Sequence, residues 1–337
     1  MKKIISLQEN VHVIDRSFEV RPLKLNAIPS NKILFMHAKG FKHIKECEHV
    51  LKYLDGLEIK PDKFIGDDRL FFWKNNRLQA DRKNFNRLSR IAVDMGLALQ
   101  THFPMHKIER QFLDMASVSD WHALLQVYET YAESIADFNL SPNITVHPPI
   151  FEKMEEISEK LNIANQFLIK LGEKIKAERW PIIIGMENQA DPFIQSFPLE
   201  VTGFLPEHLR VLLTGTNDTI QVTYDSGHRL LNKEFTVREL IDILVRMGKY
   251  VTNQHFHENE GLDFKGKYLD SHQAAIQGNV RGFNRCVIRS IIDNVPLNLE
   301  IPTNLYSPLR LLVYVSGMRN AIDIVWNDER NQQVFNR

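Results

Sequence analysis

The sequence predicts a single (β/α)8 barrel, an α/β fold in which eight parallel strands alternate with helices. Apolar runs of strand length alternate along the chain with segments whose apolar residues recur at helical spacing. Eight such runs can be counted, and eight strand–helix units imply closure into a barrel. Chelating side chains stand at or just after the C-terminal ends of these runs, the end at which such barrels keep their chemistry.

The elements follow in order along the chain. The predicted strands lie around Ile33–Met36, Lys63–Ile65 (the weakest), Leu97–Gln100, Ile144–Val146, Ile182–Gly185, Ile220–Thr223, Tyr250–Asn253 and Pro296–Leu299. Runs rich in Ile, Leu and Val suit strands that are buried on both faces. The predicted helices cover residues 44–56, 84–96, 119–138, 151–180, 237–250, 284–294 and 308–329.

Domain organisation follows from where the periodicity begins. Residues 1–30 show no clear periodicity and are interrupted by Pro22 and Pro29, so they are predicted to form a short N-terminal extension. Residues 31–330 are predicted to form the TIM barrel. A chain of 337 residues is normal for such a barrel with insertions.

Composition narrows the function classes. Lys+Arg and Asp+Glu are equal at 42 each, so the net charge gives no overall attraction to nucleic acid or to an anionic membrane. Two cysteines, Cys47 and Cys286, fit a reduced cytosolic protein. We find no signal peptide and no stretch that approaches a membrane span, so the cytoplasm is the expected location and no membrane partner is expected. The oligomeric state is left open.

Histidines and carboxylates at the strand ends form the candidate site. They are His37, His102, His147, Glu187, Asp225, His228, His255, His257, Asp270, His272 and Glu300. A carboxylate at the end of an apolar strand, such as Glu187 or Glu300, must be paired, protonated or metal-bound. Two carboxylates that converge in one barrel mouth repel each other unless a cation lies between them. The donor types favour Zn, Mn, Mg or Fe over a thiolate-held metal.

Three pairs admit simpler interpretations. Asp225 and His228 are spaced as an Asp that caps the next turn and a surface His. Asp270 and His272 fit a solvated turn. His255 and His257 need not share a role, because their geometry depends on where the strand ends; His255 is predicted to face the interior, while His257 contacts a ligand or is simply packed.

The order of these residues resembles the xylose isomerase-like superfamily of TIM barrels, and within it most closely endonuclease IV, the abasic-site nuclease with three zinc ions. The likeness spans about residues 33–303. MENQA resembles the family's E-N-T-A, and TYDSGH resembles its D-T-x-H. The stretch from His255 to Val280 resembles H-x-N-D-S…D-R-H-x(5)-G-N-I, and VPLNLEIP resembles P-L-x-L-E-T. His37 and the FFWKNNR stretch with Lys74 and Arg77 resemble the family's early histidine and its F-x-K-N-x-R segment more weakly.

The resemblance implies up to three metal positions, with zinc the leading choice. They are a first set of His102, His147 and Glu187, a second of Glu187, Asp225, His255 and Glu300, and a third of His228, Asp270 and His272. Glu187 and Glu300 are the implied catalytic residues, while His37, Asn188, His257, Lys74 and Arg77 are expected to contact a metal ligand or the substrate. Ser271, His257-Glu258-Asn259 and Pro149-Ile150 depart from the family pattern and remove polar groups that could face a phosphate.

Two enzymatic hypotheses follow. The leading one is a multinuclear phosphoester or phosphodiester hydrolase acting on a small phosphorylated substrate or damaged DNA. It uses all nine ligands. The alternative is a single-metal sugar or sugar-phosphate isomerase or epimerase, which needs only the second set; HFHEN and DSGH also resemble the H-x-H-D-N and D-T-G-H runs of those isomerases. A barrel without chemistry is disfavoured, because unpaired ligands in the mouth would be destabilising.

A basic stretch from Lys74 to Arg90 bears on the substrate. It carries Lys74, Arg77, Arg82, Lys83, Arg87 and Arg90 against only Asp81. Such a stretch could contact a phosphate backbone from a barrel loop, or it could form an ordinary solvated helix face.

Overall fold

Most of the apolar runs form strands that pair in parallel around a closed barrel of eight. The structure, a computed structural model, describes residues 30–103, 107–108, 111–193, 201–232, 236–259, 270–274, 280–329 and 331–332. The predicted α/β TIM barrel is confirmed. Except for Ser30, the predicted N-terminal extension lies outside the described residues, so the division into residues 1–30 and 31–330 stays a prediction.

The strands in chain order are β1 (Leu34–Ala38), β2 (Gly56–Ile59), β3 (Phe71–Lys74), β4 (Arg77–Ala80), β5 (Ala98–His102), β6 (Lys107–Ile108), β7 (Gln111–Phe112), β8 (Asn143–Val146), β9 (Ile183–Glu187), β10 (Ile220–Asp225), β11 (Val251–Phe256) and β12 (Leu297–Leu299). Around the barrel their order is β1, β12, β11, β10, β9, β8, β5, β2, with every neighbouring pair parallel. The pairs β3–β4 and β6–β7 form separate antiparallel hairpins.

The helices in chain order are α1 (Phe41–Glu46), α2 (Glu48–Leu51), α3 (Arg82–Met95), α4 (Trp121–Phe138), α5 (Ile157–Ala177), α6 (Pro206–Leu213), α7 (Ser226–Leu230), α8 (Val237–Met247), α9 (Val280–Asp293) and α10 (Pro308–Asn327). No helix among the described residues is both long enough and apolar enough to cross a membrane.

Local sequence explains the ends of the predicted helices. Helix α3 begins where the Asp81 side chain accepts a hydrogen bond from the Asn84 amide at 3.1 Å, and it ends at Gly96 with a φ of 67°. Helix α8 repeats this arrangement. The Thr236 hydroxyl accepts from the Glu239 amide at 3.2 Å, and Gly248, with a φ of 65°, ends the helix. Glycine adopts this left-handed conformation without steric cost, so the C-terminal ends of both helices could be predicted from the sequence.

The second barrel strand corrects the weakest prediction. The strand expected at Lys63–Ile65 is wrong: β2 lies at Gly56–Ile59, and Pro61–Lys63 form a 3-10 turn. Glu58 interrupts the apolar run of β2, so the sequence pattern there does not look like that of a buried strand. For the same reason the helix predicted over residues 44–56 is too long, since α2 ends at Leu51. Helix α6, eight residues that open on a proline, was not predicted.

The centre of the barrel is unusually polar. Glu58 accepts hydrogen bonds from the Thr145 hydroxyl at 2.9 Å and from the Asn253 amide at 3.1 Å, and Asn298 donates to Asn253 at 3.2 Å. All four side chains are buried. The interior layers of such barrels are dominated by bulky branched residues, so a hydrogen-bonded layer here has a local cause. It lies next to the candidate site.

Candidate metal centre

The predicted ligands lie together at the C-terminal mouth of the barrel. His37, His102, Glu187, Asp225 and His255 lie at or near the ends of β1, β5, β9, β10 and β11, and His147 and Glu300 directly follow β8 and β12. Because all eight barrel strands are parallel, these ends meet at one edge. Asp225 on β10 and His255 on β11 lie side by side in the pairing of these two strands.

Four of these residues form what we call the carboxylate centre: Glu187, Asp225, His255 and Glu300. Each offers one ligand atom, and these atoms all lie within 4.8 Å of one another. His255 Nδ1 is 2.8 Å from Glu187 Oε1 and 2.9 Å from Glu300 Oε2. It is 3.6 Å from Asp225 Oδ2. All four side chains are buried. This is the second ligand set that the sequence predicts.

The electrostatics of the carboxylate centre fit a bound cation. Burial acts to lower the pKa of His255, but the charges of Glu58, Glu187 and Glu300 raise it well above its usual value. The arrangement thus favours positive charge at the position that His255 Nδ1 faces. Glu187 Oε2 and Glu300 Oε2 are buried and make no hydrogen bond of good geometry in the described part of the chain, although His147 Nε2 and His255 Nδ1 each lie 2.9 Å from one of them. A donor set of three carboxylates and one imidazole suits Zn, Mn, Mg or Fe.

Two further histidines approach Glu187 from neighbouring strands. His147 Nε2 lies 2.9 Å from Glu187 Oε2, and His102 Nε2 lies 3.6 Å from the same oxygen. His102 Nδ1 donates to the Phe103 carbonyl at 2.7 Å, which leaves Nε2 to face the carboxylate. Burial lowers the pKa of His147 despite the attraction of Glu187, so a neutral imidazole is favoured there. The structure therefore brings together the first predicted ligand set as well.

A separate cluster, the histidine-rich centre, comprises His228, His257, Asp270 and His272, whose ligand atoms also lie within 4.8 Å of one another. Asp270 Oδ2 is 3.1 Å from His272 Nε2 and 3.3 Å from His228 Nε2. The rings of His257 and His272 stack with centroids 4.0 Å apart. These residues are the third predicted set with His257 added.

The two centres differ in charge. The histidine-rich centre has one carboxylate among three imidazoles, whereas the carboxylate centre has three carboxylates and one imidazole. Burial acts to lower the pKa of His228, but Asp225 and Asp270 raise it well above its usual value. A protonated His228 can therefore balance Asp270 without an ion, whereas in the carboxylate centre a protonated His255 and Lys60 face three carboxylates and leave one negative charge unbalanced.

Asp225 is placed to cap a helix and to face the carboxylate centre, although His228, a surface residue in the simpler sequence interpretation, is buried. Asp225 Oδ1 accepts from the His228 amide at 2.7 Å and caps α7, as in the simpler interpretation, while Oδ2 faces His255. Asn188 fixes its backbone, because it donates to the Asp225 carbonyl at 2.8 Å and accepts from the Asp225 amide at 2.7 Å. Gly227 allows His257 to approach, since a Cβ at Gly227 would lie 2.1 Å from that ring.

The basic stretch is not joined to either centre by any contact recorded among the described residues. Lys74 and Arg77 lie on the exposed hairpin β3–β4, where Arg77 pairs with Glu129 at 3.2 Å. Arg82 pairs with Asp137 on α4, and Arg87 pairs with Asp68 at 2.9 Å. These partners agree with the solvated-face interpretation.

Two residues at the site were missed by sequence reasoning. Glu58 lies on β2, and its Oε2 is 2.7 Å from His37 Nε2 and 2.9 Å from His255 Nε2. Lys60 directly follows β2 and donates to Glu300 Oε1 at 2.6 Å. The available signal was the segment Leu57-Glu58-Ile59 between Gly56 and Pro61, a short apolar run bounded by strand breakers, with a charge inside it.

No protein-family model and no curated protein sequence matches this chain. Solved structures do match its fold. A D-tagatose 3-epimerase-like protein aligns with a TM-score of 0.60 and 18% identity, over 90% of this chain and 98% of its own. A putative xylose isomerase from Rhodospirillum rubrum aligns with a TM-score of 0.57 and 14% identity, over 87% of this chain and 98% of its own. The 3-keto-D-glucoside 4-epimerase from E. coli aligns with a TM-score of 0.56 and 11% identity, over 86% of this chain and 98% of its own.

Identities this low establish a shared fold alone. These matches support the TIM-barrel fold that the sequence resemblance implies. The finer resemblance to endonuclease IV receives no specific support from these neighbours, whose descriptions name sugar isomerases and epimerases.

Proposed function

We propose that this protein is a metal-dependent isomerase or epimerase that acts on a ketose or a ketose phosphate. The observation that carries the proposal is the carboxylate centre, in which Glu187 and Glu300 converge on His255 Nδ1 from different strands. Such a reaction needs one ion and two proton-transferring groups, and this centre supplies both. Structural neighbours described as sugar epimerases and isomerases favour this function over the hydrolase that the sequence resemblance placed first.

Glu187, Asp225, His255 and Glu300 would hold the ion, which when bound polarises the carbonyl and hydroxyl oxygens of the sugar. Burial acts to raise the pKa of Glu187, but His255 and His147 hold it well below its usual value, so its carboxylate is available as a base. In this mechanism Glu187 removes a proton from the carbon beside the carbonyl. Burial acts to raise the pKa of Glu300, but His37 and Lys60 hold it well below its usual value, so Glu300 carries no proton of its own. It can pass a proton from the Lys60 ammonium to the opposite face of the sugar, and Lys60 regains a proton once Glu187 has released its own.

Lys60 and His147 support these two roles. Lys60 Nζ donates to Glu300 Oε1 at 2.6 Å and so keeps a proton beside that oxygen. His147 Nε2 lies 2.9 Å from Glu187 Oε2, where it can orient the carboxylate or bind a substrate hydroxyl.

The proposal is tested by measuring the exchange of a substrate hydrogen with solvent deuterium, in addition to the formation of product. Protein reloaded with Mn²⁺, Mg²⁺ or Zn²⁺ is incubated in D₂O with D-tagatose, D-psicose or their phosphates. We expect deuterium to enter the carbon beside the carbonyl, as NMR and mass spectrometry would detect. Chelator-treated protein is the control and should give no exchange. Absence of exchange with every ketose tested would contradict the proposal.

A second candidate is the multinuclear phosphodiester hydrolase, which the histidine-rich centre specifically favours. Asp270 with three histidines could hold an ion that a sugar epimerase does not need. This candidate expects Zn²⁺-loaded protein to nick a duplex that carries an abasic site. It also expects the nicking to be lost in an Asp270→Ala/His272→Ala variant.

A further inference from the structure

Glu58 makes four hydrogen-bond contacts in the barrel interior. It is fully buried on β2. Its Oε1 accepts from Thr145 at 2.9 Å and from Asn253 at 3.1 Å, while its Oε2 lies 2.7 Å from His37 Nε2 and 2.9 Å from His255 Nε2. Both Glu58 oxygens are thus engaged in hydrogen bonds.

The hydrogen-bond geometry decides which nitrogen of His255 carries a proton toward Glu58. Asn253 Nδ2 lies 3.2 Å from His255 Nε2, so it could in principle donate to that nitrogen. Its two hydrogens have shorter bonds, to Thr145 Oγ1 at 2.9 Å and Glu58 Oε1 at 3.1 Å. His255 Nε2 therefore donates to Glu58, and a carboxylate facing it can only accept.

We propose that Glu58 is a positioning residue that keeps the proton of His255 on Nε2 and thereby presents Nδ1 to the metal. The inference rests on the metal site of the proposed function. Nδ1 is the atom that faces Glu187 Oε1 and Glu300 Oε2, at 2.8 Å and 2.9 Å. A histidine ligand that donates its other ring N–H to a carboxylate has a fixed tautomer, a fixed ring orientation and a more basic ligating nitrogen.

Glu58 could instead bind an ion itself, since His37, Glu58 and His255 also offer atoms within 4.8 Å of one another. The contacts argue against this. Both Glu58 oxygens already accept hydrogen bonds, and His255 Nε2 cannot both donate to Glu58 and ligate an ion. The two arrangements therefore place the metal on different nitrogens of the same ring, which a spectrum can distinguish.

The decisive variant is Glu58→Gln, which preserves shape but replaces an acceptor by an amide. Its oxygen can still accept from Thr145 and Asn253, so its NH₂ must face His37 and His255. The amide then donates to His255 Nε2, and the proton of a neutral ring moves to Nδ1, where it blocks ligation. We expect the affinity for Zn²⁺, measured by competition with a chelator, to fall about 10–100-fold. The matched control is Thr223→Val, which removes a buried hydroxyl 3.2 Å from Thr145 Oγ1 but none of the hydrogen bonds to Glu58, and which should leave this affinity within about threefold of the wild type.

Protein labelled with ¹⁵N-histidine provides a readout that does not depend on activity or on the variant folding. The His255 signals, assigned by their loss in His255→Gln, should show a hydrogen on Nε2 in metal-free and Zn²⁺-loaded wild-type protein, and Zn²⁺ on Nδ1. An unprotonated Nε2, Zn²⁺ on Nε2, or unchanged affinity in folded Glu58→Gln would overturn the inference. If the wild-type protein binds no ion, the proposed function fails, while the metal-free spectrum still decides which nitrogen Glu58 holds protonated.

Discussion

Glu187 is a residue on which contacts from several barrel strands converge. Its Oε1 faces His255, and its Oε2 faces His147 and His102, so strands β5, β9 and β11 and the residue after β8 meet at one carboxylate. Glu300 has a similar role on the opposite side, between His255 and Lys60. For both residues, the negative charge of the carboxylate, rather than the shape of the side chain, accounts for these contacts.

The requirement for a negative charge at both positions can be tested with Glu187→Gln and Glu300→Gln. Each replaces a proton acceptor by an amide of the same size, so we expect the rate of deuterium exchange to fall at least about 100-fold. Circular dichroism should show a preserved fold, because neither carboxylate belongs to the apolar core. Glu207→Gln is the matched control, since Glu207 pairs with Arg210 on the exposed face of α6 and should exchange at the wild-type rate. Full turnover in a site variant would exclude a catalytic role for that residue.

The residues that could be predicted are those whose position breaks a strong pattern. His102, Glu187 and Glu300 stand at the ends of apolar strands, where a polar side chain requires a partner, and the structure brings all three to one mouth. Glu58 lies inside a strand and weakens the very pattern that would have located it. Its role depends on contacts with residues 87 and 197 positions away, Thr145 and His255, and no local sequence rule contains that information.

At the scale of elements, the start of β11 is tied to the strand beside it by one lysine. Lys249 is buried, and its Nζ donates to the carbonyls of Thr216 at 3.0 Å and Ile220 at 2.9 Å, as well as to Asn217. These carbonyls belong to the loop that enters β10 and to its first residue. Buried carbonyl groups need donors, so this side chain closes the end of the barrel opposite the metal centre.

Lys249→Met should therefore destabilise the fold without affecting the chemistry. Methionine fills a similar volume but leaves the carbonyls of Thr216 and Ile220 without this donor, which costs about 1–3 kcal/mol in the free energy of unfolding. Urea denaturation measures this change. Lys176→Met removes an exposed ion pair with Asp218 and should cost less than about 1 kcal/mol. Equal effects of the two substitutions would mean that the Lys249 bonds do not contribute as described.

At the scale of the whole molecule, the barrel is a closed ring of strands that holds the candidate metal ligands close together. Glu187, Asp225 and Glu300 are held on β9, on β10 and just after β12, and their charges remain close together in the metal-free protein. The fold resists their repulsion, so an ion that binds only the folded state stabilises the whole barrel.

Chelation should consequently lower the melting temperature. At a free metal concentration of 100 times Kd, binding stabilises the folded state by about 2.7 kcal/mol, which corresponds to a shift of roughly 5 °C for a barrel of this size. Differential scanning calorimetry with and without EDTA measures it. In Asp225→Asn, which weakens the ligand set, the difference between the two conditions should shrink. Identical melting of the wild-type protein in both conditions would contradict a metal in the carboxylate centre.

The number of ions per chain separates the two candidate functions. The carboxylate centre places three carboxylates around one imidazole, whereas Asp270 in the histidine-rich centre can be balanced by a protonated His228.

We therefore expect elemental analysis of protein purified without chelator to give about one equivalent of Zn, Mn or Fe, since one cation suffices for the carboxylate centre. An Asp270→Ala/His272→Ala variant should retain that equivalent, and Asp225→Asn/Glu300→Gln should lose it. Two or three equivalents, falling by one in the Asp270→Ala/His272→Ala variant, would instead favour the phosphodiester hydrolase, because only that function requires the histidine-rich centre to hold an ion.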